Sequence, residues 1–163
     1  MTRKLKEKTD ATKNLRGKEV ATFHHDSVDF SEYDHIKTKS LNHCVALVVY
    51  APSKNLGSIC HYGIHNDLEP YIEWVKSNVP VEGTKMYLVG GMDGKPGGRD
   101  RPGPSSEGVA WAIERYLKDE GYGIIGKDIL GRKTRNVTLF KDGRVKVDWN
   151  DGSMGKRWQS RIL

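Results

Sequence analysis

Apolar positions in this chain fall into runs of different period, and each period predicts a different element. The run CVALVVYA, residues 44–51, is apolar at nearly consecutive positions and rich in valine, as suits a strand covered on both faces. The turn residues of APSKNLG follow, and GSICHYGI then reads as a second strand. A hairpin whose loop is residues 52–55 is the simplest way to join them. MYLVGG predicts another strand. NVTLFKDGRVKVDW alternates apolar and polar positions around Asp142-Gly143, the pattern of a hairpin with one buried face. Upstream, residues 19–24 predict a first strand, and the polar stretch DSVDFSEYDHIKTKS connects it to the valine-rich run.

Two segments carry the longer period. Leu68, Tyr71, Ile72, Val75 and Val79 recur at helical spacing, so residues 67–79 predict an amphipathic helix. Asn66 with Glu69 three residues on makes a capping-box-like start, and Pro70 is tolerated in the first turn. A second helix is predicted with Ser106 as its cap, Val109, Ile113, Tyr116 and Leu117 on its face, and Gly121 at its close. The stretch GGMDGKPGGRDRPGPSS before it is rich enough in Gly and Pro to predict a long loop, expected to lie as a lid over the candidate site. After the second helix, GYGIIGKDIL precedes the last hairpin. These elements define one mixed α/β domain over residues 19–150, between a basic flexible tail (1–18) and a basic C-terminal tail (151–163).

The 163 residues suffice for a single core. No apolar run is long enough to span a membrane, so no membrane insertion is expected. The first residues lack the apolar segment of a secretory signal. A cytoplasmic location is expected, and export by a specialised route is compatible with the same sequence. Cys44 and Cys60 are too few for a disulfide framework or a structural zinc site. A single bridge between them is chemically available, but the reduced state is expected in a cytoplasm. The formal charge of +6 favours an acidic partner or nucleic acid. Much of it sits in the tails, and no nucleic-acid-binding motif is present, so nucleic acid ranks last.

A cysteine and a histidine matter together only if they can meet. With Ala51 opposite Leu56, pairing backwards sets Cys44 opposite Gly63, which places His61 on the same face as Cys44. Such diagonal neighbours lie roughly 7–8 Å apart at Cα. Cys60 points to the opposite face. A neighbouring imidazole lowers a thiol pKa, so a thiolate is expected near neutral pH. The imidazolium then protonates a departing amine, and the imidazole activates water. Thr38 is a candidate to orient the ring through its hydroxyl or its backbone carbonyl, and backbone N–H groups near Cys44 could stabilise an oxyanion.

Other readings compete. A cysteine in a valine-rich strand is more often a core residue. His24 and His25 with Asp26 or Asp29 could hold a metal, although the spacing lacks a zinc signature and adjacent strand histidines face opposite ways. The Gly-rich loop has no phosphate-cradle spacing.

The order Thr38, LNHCVALVVYAP and GSICHYGI resembles the CheD family of chemoreceptor glutamine deamidases. In that family a threonine precedes the nucleophilic cysteine by six residues and the base histidine follows it by seventeen, intervals matched by Thr38, Cys44 and His61. MYLVGG and GYGIIGKDILGRKTRNVTLFKDGRVKV are similar to the family's glycine-ended strand and C-terminal region. The family's usual glycine and serine before the cysteine are replaced by Asn42 and His43. The resemblance implies a β-sandwich-like core flanked by helices, a fold shared with glutamine-deamidating toxins of the cytotoxic necrotizing factor type and the Burkholderia lethal factor. It also implies a Cys44–His61–Thr38 triad without cofactor or metal, acting on glutamines of a chemoreceptor or host protein through a thioester. The alternative is a non-catalytic binding module of the same fold, docking acidic partners through Arg99, Arg101 and the basic tails.

Overall fold

The computed structural model describes residues 15–93, 104–152 and 157–163. Its strands are β1 (Gly17–Val20), β2 (His25–Asp29), β3 (His35–Leu41), β4 (Val45–Ala51), β5 (Leu56–Tyr62), β6 (Lys85–Gly90), β7 (Ile124–Ile129), β8 (Thr134–Phe140), β9 (Val145–Asn150) and β10 (Gln159–Ile162). The helices are α1 (Glu69–Asn78), between β5 and β6, and α2 (Ser106–Asp119), between β6 and β7. A 3₁₀ turn, Pro52–Lys54, closes the β4–β5 hairpin, with Asn55 in the left-handed region.

The valine-rich strand β4 is the middle of a five-stranded sheet of order β2-β5-β4-β6-β7, antiparallel except for the parallel β6–β7 pair. Both its faces are covered, which is why its apolar residues run consecutively. Val45, Leu47, Val49 and Ala51 pack with Tyr71, Ile72 and Val75 of α1 and with Val109, Ala110, Ile113 and Leu117 of α2. Ala46 and Val48 face the other way, into a core shared with Ile36, Leu41, Val137, Leu139, Val145 and Val147. Those residues belong to the second five-stranded sheet, of order β1-β3-β8-β9-β10. The domain is therefore mixed α/β, a two-sheet sandwich with both helices on one outer face. Full burial of each valine or leucine among these contributes roughly 1.5–3 kcal/mol, so β4 anchors both cores at once.

Several elements differ from the sequence expectation. The first strand ends at Val20 rather than residue 24, because the chain turns there to cross from one sheet to the other. The polar stretch after it contains β2 and β3, in which few side chains are buried, among them Val28, Ile36, Thr38 and Leu41. The capping box at α1 does not form. Asn66 Oδ1 accepts from the Gly63 N–H at 2.6 Å, and Asp67 Oδ1 accepts from the Glu69 N–H at 3.0 Å. Asn and Asp side chains compete for nearby backbone donors in this way.

Ser105, not Ser106, caps α2, accepting from the Gly108 N–H at 3.1 Å. Tyr116, assigned to the buried face, is 44% exposed. The C-terminal segment is not wholly a tail, since β10 pairs antiparallel with β9 and thereby covers its otherwise open ladder edge. Gly17 and Lys18, assigned to the basic N-terminal tail, belong to β1, and residues 1–14 of that tail lie outside the described residues. So do residues 94–103 of the expected lid, including Arg99 and Arg101. Among the described residues, no helix is long and apolar enough to cross a membrane.

Candidate functional site

The three residues singled out by spacing come from both sheets. Thr38 is on β3, His61 on β5, and Cys44 immediately precedes β4. In the β4–β5 hairpin Ala51 pairs with Leu56 and Ala46 with His61. Cys44 is two residues before Ala46, so it shares the inter-sheet face with His61 as a diagonal neighbour. It packs at the margin of the inter-sheet core, whereas Cys60, paired with Leu47, packs in the helix-side core. Both cysteines are free thiols.

Thr38 and His61 meet directly. Thr38 is fully buried, and its Oγ1 lies 2.8 Å from His61 Nδ1 and 2.9 Å from the Val20 carbonyl oxygen. A hydroxyl has one proton. It donates that proton to Val20, which can only accept, so it accepts in turn from an Nδ1–H. This assignment leaves Nε2 of His61 with a bare lone pair. Nε2 is buried and has no hydrogen-bond partner among the described residues. Of the two ways Thr38 could orient the ring, the hydroxyl is the one used.

Burial sets the charge of both candidate reactants. It pushes the Cys44 thiol above its ordinary value and pushes His61 down to about 4. A thiolate at neutral pH was the sequence expectation. The structure instead favours a neutral thiol beside a neutral imidazole, because desolvation penalises both charged forms. Such a pair transfers its proton as the sulfur attacks, not beforehand.

The backbone around Cys44 is held from several directions. Its carbonyl accepts from the Gly91 N–H at 2.7 Å, and the His43 carbonyl accepts from Ser106 Oγ at 2.7 Å. A Cβ at Gly90 would come within 2.4 Å of the Cys44 carbonyl oxygen, and Gly90 and Gly91 have φ of 111° and 76°. Only glycine accepts that approach without strain. Arg135, also buried, donates to the Gly91 carbonyl at 3.1 Å and to Asp128 at 2.9 Å. Sequence reasoning missed Arg135, although the alternation that buries Val137 and Leu139 puts it on the same face.

A cavity of about 340 Å³ opens beside Cys44, lined by Phe23, His43, Gly63, Ile64, His65 and Asn66. Phe23 was not singled out by sequence either. Its ring stands edge-on to His61, with centroids 6.4 Å apart, yet the residue is 59% exposed and its φ is 65°. A bulky residue in the left-handed region is a genuine outlier, and such strain clusters at functional sites. Another cavity, of about 540 Å³, lies against α2 and is lined by Trp111, Arg115 and Tyr122 among others, with no cysteine or histidine.

His24 and His25 do not form the alternative metal site. The His24 ring turns to the Thr22 carbonyl at 2.9 Å, and the His25 ring packs on Tyr71 at 5.1 Å. Among the described residues, no group of three or more His, Cys, Asp or Glu is placed to hold a metal ion. No protein-family model matches the chain, and no curated protein matches it.

Proposed function

We propose that the protein is a protein-glutamine deamidase, with Cys44 as nucleophile, His61 as base and acid, and Thr38 as the residue that orients the ring. The observation that carries this reading is the Val20–Thr38–His61 chain of hydrogen bonds, which leaves Nε2 bare on the face that Cys44 shares. A core cysteine has no need of a buried histidine with a defined tautomer and an empty acceptor, because such an acceptor carries a desolvation cost of about 1–3 kcal/mol.

In the reaction, Cys44 Sγ bonds to the carboxamide carbon of a glutamine side chain as its proton passes to Nε2. The imidazolium returns that proton to the nitrogen, the C–N bond breaks, and ammonia leaves a thioester on Cys44. An imidazolium whose pKa is near 4 is a strong acid for that step. Water, deprotonated by the regenerated imidazole, then cleaves the thioester to glutamate and restores the thiol. Backbone N–H groups at Cys44 are the candidates for holding the oxyanion. The aliphatic part of the glutamine fits the cavity beside Phe23 and Ile64.

The test is ammonia release from glutamine-containing peptides. Release by the intact protein and none by Cys44→Ala or His61→Ala supports the reading, and incorporation of added methylamine would redefine it as transglutamination. The raised thiol pKa favours a second reading, a binding module that keeps the fold without the chemistry. Absence of ammonia from every peptide, with partner binding unaffected in Cys44→Ala, would establish that one.

A further inference from the structure

Many exposed cations of the sandwich are paired: Lys18 with Asp26, Lys39 with Glu19, Lys127 with Glu114, and Lys141 with Asp34. Arg132, Lys133 and Arg157, like Lys54, Lys85, Arg115 and Lys118 elsewhere, belong to no ion pair among the described residues, and these three gather at one end of the fold. Arg132 and Lys133 form the turn that leads into β8, whose first residue, Thr134, pairs with Asn150 at the end of β9. Lys133 Nζ lies 5.2 Å and the Arg161 guanidinium 5.9 Å from the centre of the Trp149 ring. Arg157 is two residues before Gln159, which pairs with Trp149. Trp158, between them, is 49% exposed.

This is also the end that carries the candidate nucleophile. Thr134 Oγ1 donates to Asn42 Oδ1, and Asn42 is two residues before Cys44. Leu41 and Arg135 are partners in the β3–β8 ladder. The basic rim therefore begins where the chain enters the site.

We propose that this rim docks the protein substrate and selects an acidic segment beside the target glutamine. The inference rests on the deamidase reading and adds the class of substrate. Unpaired cations on a rim attract acidic chain and raise its encounter rate. The same rim fits a single-stranded nucleic acid less well. Nucleic-acid grooves stack successive bases on aromatic rings, and with Trp149 engaged by two cations this rim leaves Trp158 alone as an exposed platform.

The experiment uses two fluorescein-labelled peptides with one central glutamine, flanked by glutamates in one and by lysines in the other. Their binding to Cys44→Ala is followed by anisotropy at low and high salt, with a single-stranded oligonucleotide as a third probe. The glutamate peptide is expected to bind at least about tenfold more tightly than the lysine peptide and to weaken as salt is raised. Arg132→Glu with Lys133→Glu removes the preference, and Arg132→Glu alone, at an exposed position, reduces it if the double variant does not fold. Turnover of a neutral glutamine peptide, measured on the same rim substitutions with Cys44 intact, stays unchanged in the folded variants. Equal affinity for the two peptides, or tighter binding of the oligonucleotide, overturns the inference. The two proposals fail separately. A neutral peptide that yields ammonia tests the chemistry, and the anisotropy preference tests the rim.

Discussion

Thr38 and His61 join the two sheets of the sandwich side chain to side chain, with Oγ1 and Nδ1 2.8 Å apart in a fully buried setting. Thr38→Val removes a donor to Val20 and an acceptor for His61 at once. Leaving those groups unsatisfied is expected to cost about 1–3 kcal/mol of stability, read by urea unfolding. Ammonia release is expected to fall about 10- to 100-fold as the ring loses its fixed tautomer. Thr38→Ser keeps the hydroxyl and should retain most of both.

The protonation of His61 ties stability to pH. Burial holds its folded pKa at about 4, below the unfolded value of about 6.5. The unfolded chain therefore takes up a proton first as pH falls. His61's share of stability is complete above about pH 6.5 and is lost progressively down to about pH 4, by up to about 3 kcal/mol. His35 shifts in the same direction, chiefly by desolvation. Urea midpoints of the intact protein should fall across that window, and those of His61→Asn should fall less.

Turnover should be flat where stability is still high. A neutral thiol and a neutral imidazole coexist between the folded pKa of His61, about 4, and that of Cys44, which burial raises. The profile of kcat/KM is expected to form a plateau through neutral pH with no step near the ordinary histidine value. A rise with a midpoint near pH 6.5 would show instead that a solvated imidazole controls the reaction.

Alkylation separates the two thiols. Cys44 borders an open cavity, whereas Cys60 is 5% exposed with its pKa pushed up to about 12. Iodoacetamide should label Cys44 first, slowly at neutral pH and faster as pH rises toward its thiol pKa. Peptide mapping of the labelled protein reads the order directly. Preferential labelling of Cys60 would contradict the assignment of faces.

Phe23 and Gly90 make opposite predictions about stability. Phe23→Asn places a residue tolerant of the left-handed region at φ 65° and removes a ring that is mostly exposed. Stability should hold or rise by up to about 1 kcal/mol, while ammonia release falls as the cavity loses its aromatic wall. Gly90→Ala drives a Cβ toward the Cys44 carbonyl oxygen. It should lower both activity and stability, the latter by about 1–3 kcal/mol. Thermal melts beside ammonia assays distinguish the two.

What the sequence made legible depended on strong periodicity. The consecutive apolar residues of β4 and the turn at residues 52–55 set the hairpin register, and that register alone puts Cys44 and His61 on one face. Helix α2 and the Asp142-Gly143 hairpin were readable for the same reason. The strands β2 and β3 were not, because only four of their twelve positions are buried, one of them a threonine, and a lone Val28 carries no period. Pairing of β10 was hidden because none of its four residues is buried, so they show no apolar alternation. At the site, the Thr38–His61 contact spans two sheets, and sequence periodicity does not report how sheets stack. Phe23 and Arg135 escaped notice because one acts from a turn and the other through backbone carbonyls and a buried carboxylate that carry no periodic signal.

The placement of Cys44 and Cys60 on opposite faces of one sheet also decides how the protein would age under oxidants. A sulfenic acid formed on Cys44 would have the full thickness of the β4–β5 ladder between itself and the only other thiol of the chain. No internal disulfide can then intercept the oxidised sulfur, so protection against further, irreversible oxidation must come from a small external thiol such as glutathione. That molecule must enter by the same cavity through which a glutamine side chain would be presented.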